Sequence, residues 1–177
     1  MRHFALIFIA LALSACGQPQ RAAEGDCTLS AARELTWPEG DARLTATASS
    51  IGACDNAVLT LEIVGSDAAN AVTAPYATLV PSGDNVARAD VQRFLDSWVD
   101  ITPMRASALP AWNETMSRPG EGVEALPYAS PLPRSDYEAL RARNAPAYCI
   151  AEAAAAVTCY VVDNDGRALR AVLGYGA

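Results

Sequence analysis

A chain of 177 residues with 20 acidic side chains, 13 basic ones and a single histidine carries a formal charge of −7 at neutral pH. Such a surface does not neutralise phosphates, which makes nucleic acid and anionic lipid surfaces poor partners. Every basic side chain is arginine, so a lysine Schiff base and the lysine of a phosphate-binding loop are excluded as well.

The first element is a leader. Arg2 precedes the apolar run Phe4 to Leu13, and the small residues Ser14 and Ala15 follow it. That is a basic start, an apolar stretch too short to span a bilayer as a helix, and a cleavage site. Leu13-Ser14-Ala15-Cys16 resembles the lipobox of bacterial lipoproteins. The resemblance implies that the Cys16 thiol receives diacylglycerol, that the leader is cut before it, and that the new amine is acylated with a long chain such as palmitate. Two or more chains hold a protein stably at a membrane, at roughly 0.8 kcal/mol per buried methylene. Gly17 stands where an Asp commonly signals inner-membrane retention in such lipoproteins, which implies sorting to the outer membrane, facing the periplasm. Residues 1–15 are then a signal peptide and 16–26 a lipidated tether of polar, non-periodic sequence. Residues 27–177 are a single periplasmic domain.

Cleavage before Cys16 leaves 162 residues, enough for one domain with a sizeable core, and a net charge of −8. With Cys16 spent on lipid, Cys27, Cys54, Cys149 and Cys159 remain, an even number in an oxidising compartment, and two disulfides are expected. Three connectivities are possible. Cys149 and Cys159 flank a predicted hairpin and Cys27 and Cys54 bracket the first strands, which favours Cys27–Cys54 with Cys149–Cys159. His3 leaves with the leader, so the body then has neither histidine nor free thiol. A Ser-His-Asp triad, a Cys-His pair and zinc held by histidine or thiolate are excluded on that basis. No catalytic residue, cofactor or metal is assigned.

Along the body, Ala42–Ser49 alternates Leu44, Ala46 and Ala48 with Arg43, Thr45 and Thr47, the period of a strand. Residues 57–64 alternate in the same way, and a weaker strand is expected around Leu35–Trp37. Ala71–Val80 is predicted as the next strand, with Pro75 demoting its middle to an edge or a bend. Val91, Phe94, Leu95, Trp98 and Val99 then fall on one stripe of an amphipathic helix, capped by Asp84 or Asn85. A second helix is predicted over residues 133–146, with Ser135 and Glu138 as a capping box and Asn144 and Pro146 ending it. Three strands follow, over 147–152, 155–163 and 168–176, the last two joined by "DNDGR". The expected class is α+β: a largely antiparallel sheet of two three-stranded meanders, with two amphipathic helices on one face.

Few residues invite chemistry. "DNDG" carries a fragment of a calcium loop, but Val161 and Val172 stand where an EF-hand needs oxygen ligands, so the stretch reads as a turn. Asp96 and Asp100 lie four apart on the polar side of the predicted helix, where water surrounds both and separates no pKa values for acid–base work. Residues 101–134 hold six prolines without sustained periodicity, and unstructured loops of that length are usually functional or disordered. Within this stretch Trp112, Arg118 and Tyr128 are the candidate interaction residues, since aromatics and arginine make interface anchors. The opposite expectation is that the aromatics pack down and the prolines stiffen a wrap over the sheet.

The function expected is therefore a non-catalytic binding or envelope-assembly module, held to the membrane through Cys16, with a protein or peptidoglycan partner. One alternative is a cell-wall glycan hydrolase using carboxylates alone, drawn from Asp100, Glu114, Glu121 and Glu124, with two acids about 5 to 9 Å apart in a cleft. Another is an inhibitor of a basic periplasmic enzyme. In size, leader, charge and strand content the chain is similar in outline to the lysozyme-inhibitor lipoproteins, although the two helices and the proline-rich loop are foreign to their small barrel.

Overall fold

The computed structural model describes residues 25–36, 43–65, 69–81, 85–117, 128–162 and 169–175. Cys16, Arg118, Glu121, Glu124, Asp84, Trp37 and the "DNDGR" turn lie outside them. The architecture is mixed α+β, with two antiparallel four-stranded sheets and three α-helices among the described residues.

The first sheet is a meander of β1 (Leu29–Thr36), β2 (Arg43–Ile51), β3 (Val58–Val64) and β4 (Ala69–Pro75), paired in chain order. Alternation decides its faces. Leu44, Ala46, Ala48, Leu59, Leu61 and Ile63 are buried, while Thr45, Glu62 and Val64 between them are exposed. It has one strand more than expected, because β1 begins at Leu29 and is full length. Its signal is weak in sequence because Arg33 occupies a position on the inward side of an edge strand, opposite Ala46, where it pairs with Asp100 at 2.5 Å.

The strand expected over 71–80 ends at Pro75, which is paired with Val58. Proline has no N–H to continue the ladder. Tyr76 N instead donates to Ala57 O at 2.9 Å, and Tyr76–Leu79 forms a single helical turn, α1.

α2 (Arg88–Trp98) buries Val91, Leu95 and Trp98 as its stripe demands, and the Trp98 indole donates to Ala151 O at 3.1 Å. Its cap differs from expectation. Asn85 has φ 70° and precedes the helix, Ala87 is the N-cap residue, and the Asp90 carboxylate accepts from the Ala87 N–H at 3.3 Å.

The second sheet runs β5 (Met104–Arg105), β6 (Pro146–Ala153), β7 (Ala156–Val162) and β8 (Leu169–Tyr175). Again a fourth strand appears, and it comes from the stretch expected to be a loop. α3 (Arg134–Arg143) lies between β5 and β6 and ends where expected, at Asn144 in the left-handed region with φ 54°. The capping box does not form. Pro133 is the N-cap residue, Ser135 is already inside the first turn, and Glu138 accepts from Arg134 Nε at 2.9 Å.

Two cores result. The first joins the inner face of the first sheet, α1 and α2 to Tyr148, Ile150 and Val162 of the second sheet. The second lies under the alternate residues of the second sheet, Ala147, Cys159 and Val161, and is closed by Tyr137 and Leu140 of α3 with Ala106, Leu109, Met116 and Leu132. The two long helices therefore serve different cores and do not share one face. The second sheet is buried on both sides between them.

Disulfides join Cys27 to Cys54 and Cys149 to Cys159. The first fastens the start of the first sheet to the β2–β3 connection, where Ser50 Oγ also donates to Cys27 O. The second links directly opposed residues of β6 and β7.

Candidate functional site

The groups with chemical potential are dispersed. Asp96 accepts from Gln92 at 2.9 Å, Asp100 is held by Arg33 beyond the end of α2, and Glu114 is exposed. Among the described residues no three His, Cys, Asp or Glu side chains converge as metal ligands. Four tyrosines have hydroxyls shifted upward by burial: Tyr76, Tyr137, Tyr148, which is pushed up to about 12, and Tyr160. Tyr160 also donates to Glu152 at 3.0 Å, and the carboxylate beside it raises it further. Tyr148 and Tyr160 are stacked with centroids 5.5 Å apart. A phenol driven upward stays protonated at neutral pH and is a weaker acid than an ordinary tyrosine, and the stacked pair packs in the first core.

Of the candidate interaction residues of the long loop, the two described, Trp112 and Tyr128, are half-buried. Trp112 packs on Tyr137 of α3, with ring centroids 5.6 Å apart, and Tyr128 packs on Tyr175 of β8 at the same distance. The backbone around them is tied down. Arg141 donates to Leu109 O and Ser107 O, and Tyr137 donates to Pro110 O at 2.8 Å. This part of the stretch is thus a wrap fastened to α3, and it contributes Leu109 and Met116 to the second core.

The surface that remains is the outer face of the first sheet, which the sequence analysis did not single out. Register shows what it presents. Ile51, Val58 and Pro75 form one row across β2, β3 and β4. Ser30, Ser49, Thr60 and Thr73 form the next, a hydroxyl on every strand, with Thr60 and Thr73 hydrogen-bonded at 3.1 Å. Ala32, Thr47, Glu62 and Ala71 form the third. With strands about 4.8 Å apart and facing residues about 6.6 Å apart along each strand, the result is a flat patch of small side chains. Ile51 is 63% exposed, Val58 39% and Val64 44%, three of the four exposed large apolar side chains among the described residues. The alternation that revealed the strands was the available signal, but rows across strands need the register.

Edges of the same sheets are better covered. Arg88 of α2 donates to Asp26 O and Thr28 O, and Gln92 donates to Ser30 O at 3.3 Å. Asp26 and Thr28 lead into β1 and Ser30 is its second residue, so these alternate carbonyls cover the start of that edge. On β8, Ala129 exchanges both backbone hydrogen bonds with Gly174, and Ser130 Oγ donates to Val172 O at 2.7 Å. Covered edges do not template an added strand.

Comparison with protein-family models, curated proteins and solved structures finds no match.

Proposed function

We propose that the chain is an outer-membrane-anchored periplasmic lipoprotein whose folded body is a non-catalytic binding module. The lipobox residues Leu13 to Cys16 support the anchor, and the two disulfides suit an oxidising compartment. The observation that carries the binding reading is the uncovered outer face of the first sheet. This fold buries both sides of its other sheet and blunts the edges at β1 and β8, yet leaves Ile51, Val58 and Val64 in water. Ile51 and Val58 are neighbours at one end of that face and Val64 stands at its other end, and exposed apolar side chains on an otherwise polar face support an interaction site. The loop aromatics Trp112 and Tyr128 are the lesser candidate surface, since each already packs on a tyrosine of the body. Exposure of Asp100 and Glu114 lends no support to a carboxylate hydrolase, which needs one acid in an apolar site.

Two measurements test the reading. The intact mass of protein taken from its native envelope is expected to show three acyl chains on Cys16 and no free thiol. An unmodified Cys16 refutes the anchor. In-cell crosslinking is expected to capture a partner that is lost from a Thr47→Arg variant, whose side chain stands up from the flat face. Equal capture by both forms refutes the face as the binding surface. Removing the loop (residues 106–127) is unsuitable as a control, because it takes Ala106, Leu109 and Met116 out of the second core.

A further inference from the structure

We infer that the outer face of the first sheet docks a positively charged globular polypeptide, seated over Glu62 with its apolar contacts on Val58 and Val64. The inference rests on the binding reading above and adds the chemistry of the partner.

Three observations carry it. The first is the distribution of charge. Residues 25–100, which build the first sheet and α2, hold eleven acidic and four basic side chains, whereas residues 101–177 hold eight and seven. The negative field of the molecule thus originates in the half that bears the open face. A field of one sign raises the encounter rate of oppositely charged partners and repels like ones.

The second is the state of the charges themselves. Arg33, Arg43 and Arg93 are paired with Asp100, Glu34 and Asp90, and Arg88 is turned to the backbone of β1. Glu62 is exposed in the third row and has no ion pair among the described residues. Its cross-strand neighbours are Thr47 and Ala71. A cationic group over the sheet therefore meets a carboxylate without an ion partner beside exposed Val64.

The third concerns shape. With the start of the β1 edge occupied by Arg88 and Gln92, an extended peptide has no ladder to join there, which favours a partner that offers a surface. Nor does a second copy suit the face. Two copies meeting there bring together like charge. Aromatic side chains, on which sugar rings stack, are absent from the three rows, which removes the main support for a glycan there.

Titration of the isotope-labelled body (residues 17–177) with cytochrome c, a globular protein of high positive charge, tests the inference by amide chemical shifts. Shifts are expected at Thr47, Thr60, Glu62 and Ala71, and they should vanish between 0.1 and 1 M salt as the screening length falls from about 10 to about 3 Å. Glu62→Arg is expected to weaken binding about tenfold or more, while the same charge change at Asp96→Arg on α2 costs less than about threefold. Glu62→Gln, which introduces no bulkier side chain, should fall between wild type and Glu62→Arg. Equal losses from Glu62→Arg and Asp96→Arg would show diffuse attraction only and overturn the inference. So would shifts that map to another surface, the absence of binding, or shifts at the same amides on concentrating the protein alone, which would make a second copy the occupant. The acyl-chain measurement is independent. An acylated Cys16 without cation binding leaves the anchor and removes this partner class, and the converse result leaves the docking face without its tether.

Discussion

Met116 is the sharpest probe of whether the proline-rich stretch belongs to the body or merely hangs from it. The side chain is fully buried in the second core although it lies in a short 3₁₀ turn, Glu114–Ser117. Met116→Ala removes three heavy-atom groups, worth about 2 kcal/mol in transfer free energy at roughly 0.8 kcal/mol each. The remaining hole adds to this, because Tyr137 and Leu140 are held on α3 and cannot collapse fully into it. Buried methionine-to-alanine changes cost about 2 to 5 kcal/mol, and a loss of about 3 is expected here. In a domain of this size that lowers Tm by roughly 6 to 12 °C. Urea unfolding at pH 7 with the disulfides intact measures it, with exposed Glu138→Ala as a control expected to stay within about 0.5 kcal/mol. A loss below about 0.5 kcal/mol for Met116→Ala would mean that the stretch is not part of the fold, and would return Trp112 and Tyr128 to first place as interaction residues.

Three further outcomes follow from the packing. Replacing the disulfide cysteines pairwise by serine should cost about 3.5 kcal/mol for Cys27–Cys54 and about 2.7 for Cys149–Cys159, since the sequence separations are 27 and 10 and loop entropy grows with length; urea midpoints give the order, and a reversed order refutes the entropic account. The double change Arg88→Ala with Gln92→Ala uncovers the carbonyls of Asp26, Thr28 and Ser30 at the start of the β1 edge, so light scattering should reveal self-association while circular dichroism retains the fold; a monodisperse variant would deny the covering role. For fully buried Tyr148 the hydroxyl is raised from 10.0 to about 12, so its neutral form is favoured in the folded state. The unfolded chain gives up that proton first, and stability that is complete below pH 10 is lost as pH rises towards about 12, by about 2 kcal/mol. Alkaline urea titrations should show Tyr148→Phe with a flatter decline over that window, and an unchanged slope would refute the assignment.

The strands over 43–51 and 58–64 were legible because each has one wet face, so burial prints itself on the sequence every second residue. β1 was only half legible, since Arg33 breaks the apolar alternation and its compensation, Asp100, lies far along the chain. Pro75 marks an edge or a bend in sequence because a proline is tolerated at either. That it ends β4 depends on Tyr76 donating to Ala57, a contact across the β2–β3 connection that no local pattern encodes. Both predicted helix starts failed for one physical reason. A cap needs the side chain at the first non-helical position, and neighbouring packing placed Ala87 and Pro133 there. The burial of Ala106, Leu109, Met116 and Leu132 left no signal, because residues that enter a core one by one from a wrap have no period. The open face was hidden in a different way. Its threonines and serines look like an ordinary solvated strand surface until register aligns one from each strand.

The sequential order of both sheets has a consequence for the time course of folding. β1 to β4 are neighbours in the chain, so their hairpins can close, and Cys27 can meet Cys54, before residue 100 has emerged from synthesis or translocation. Contacts of such short range form fast. Yet the inner face of that sheet is completed only by Tyr148, Ile150 and Val162, which arrive last. The protein is thus expected to pass through a state with its first sheet paired and stapled but its apolar side still bare. That interval, set by the wait for the final hairpin, is when the chain is most exposed to aggregation and most in need of a chaperone.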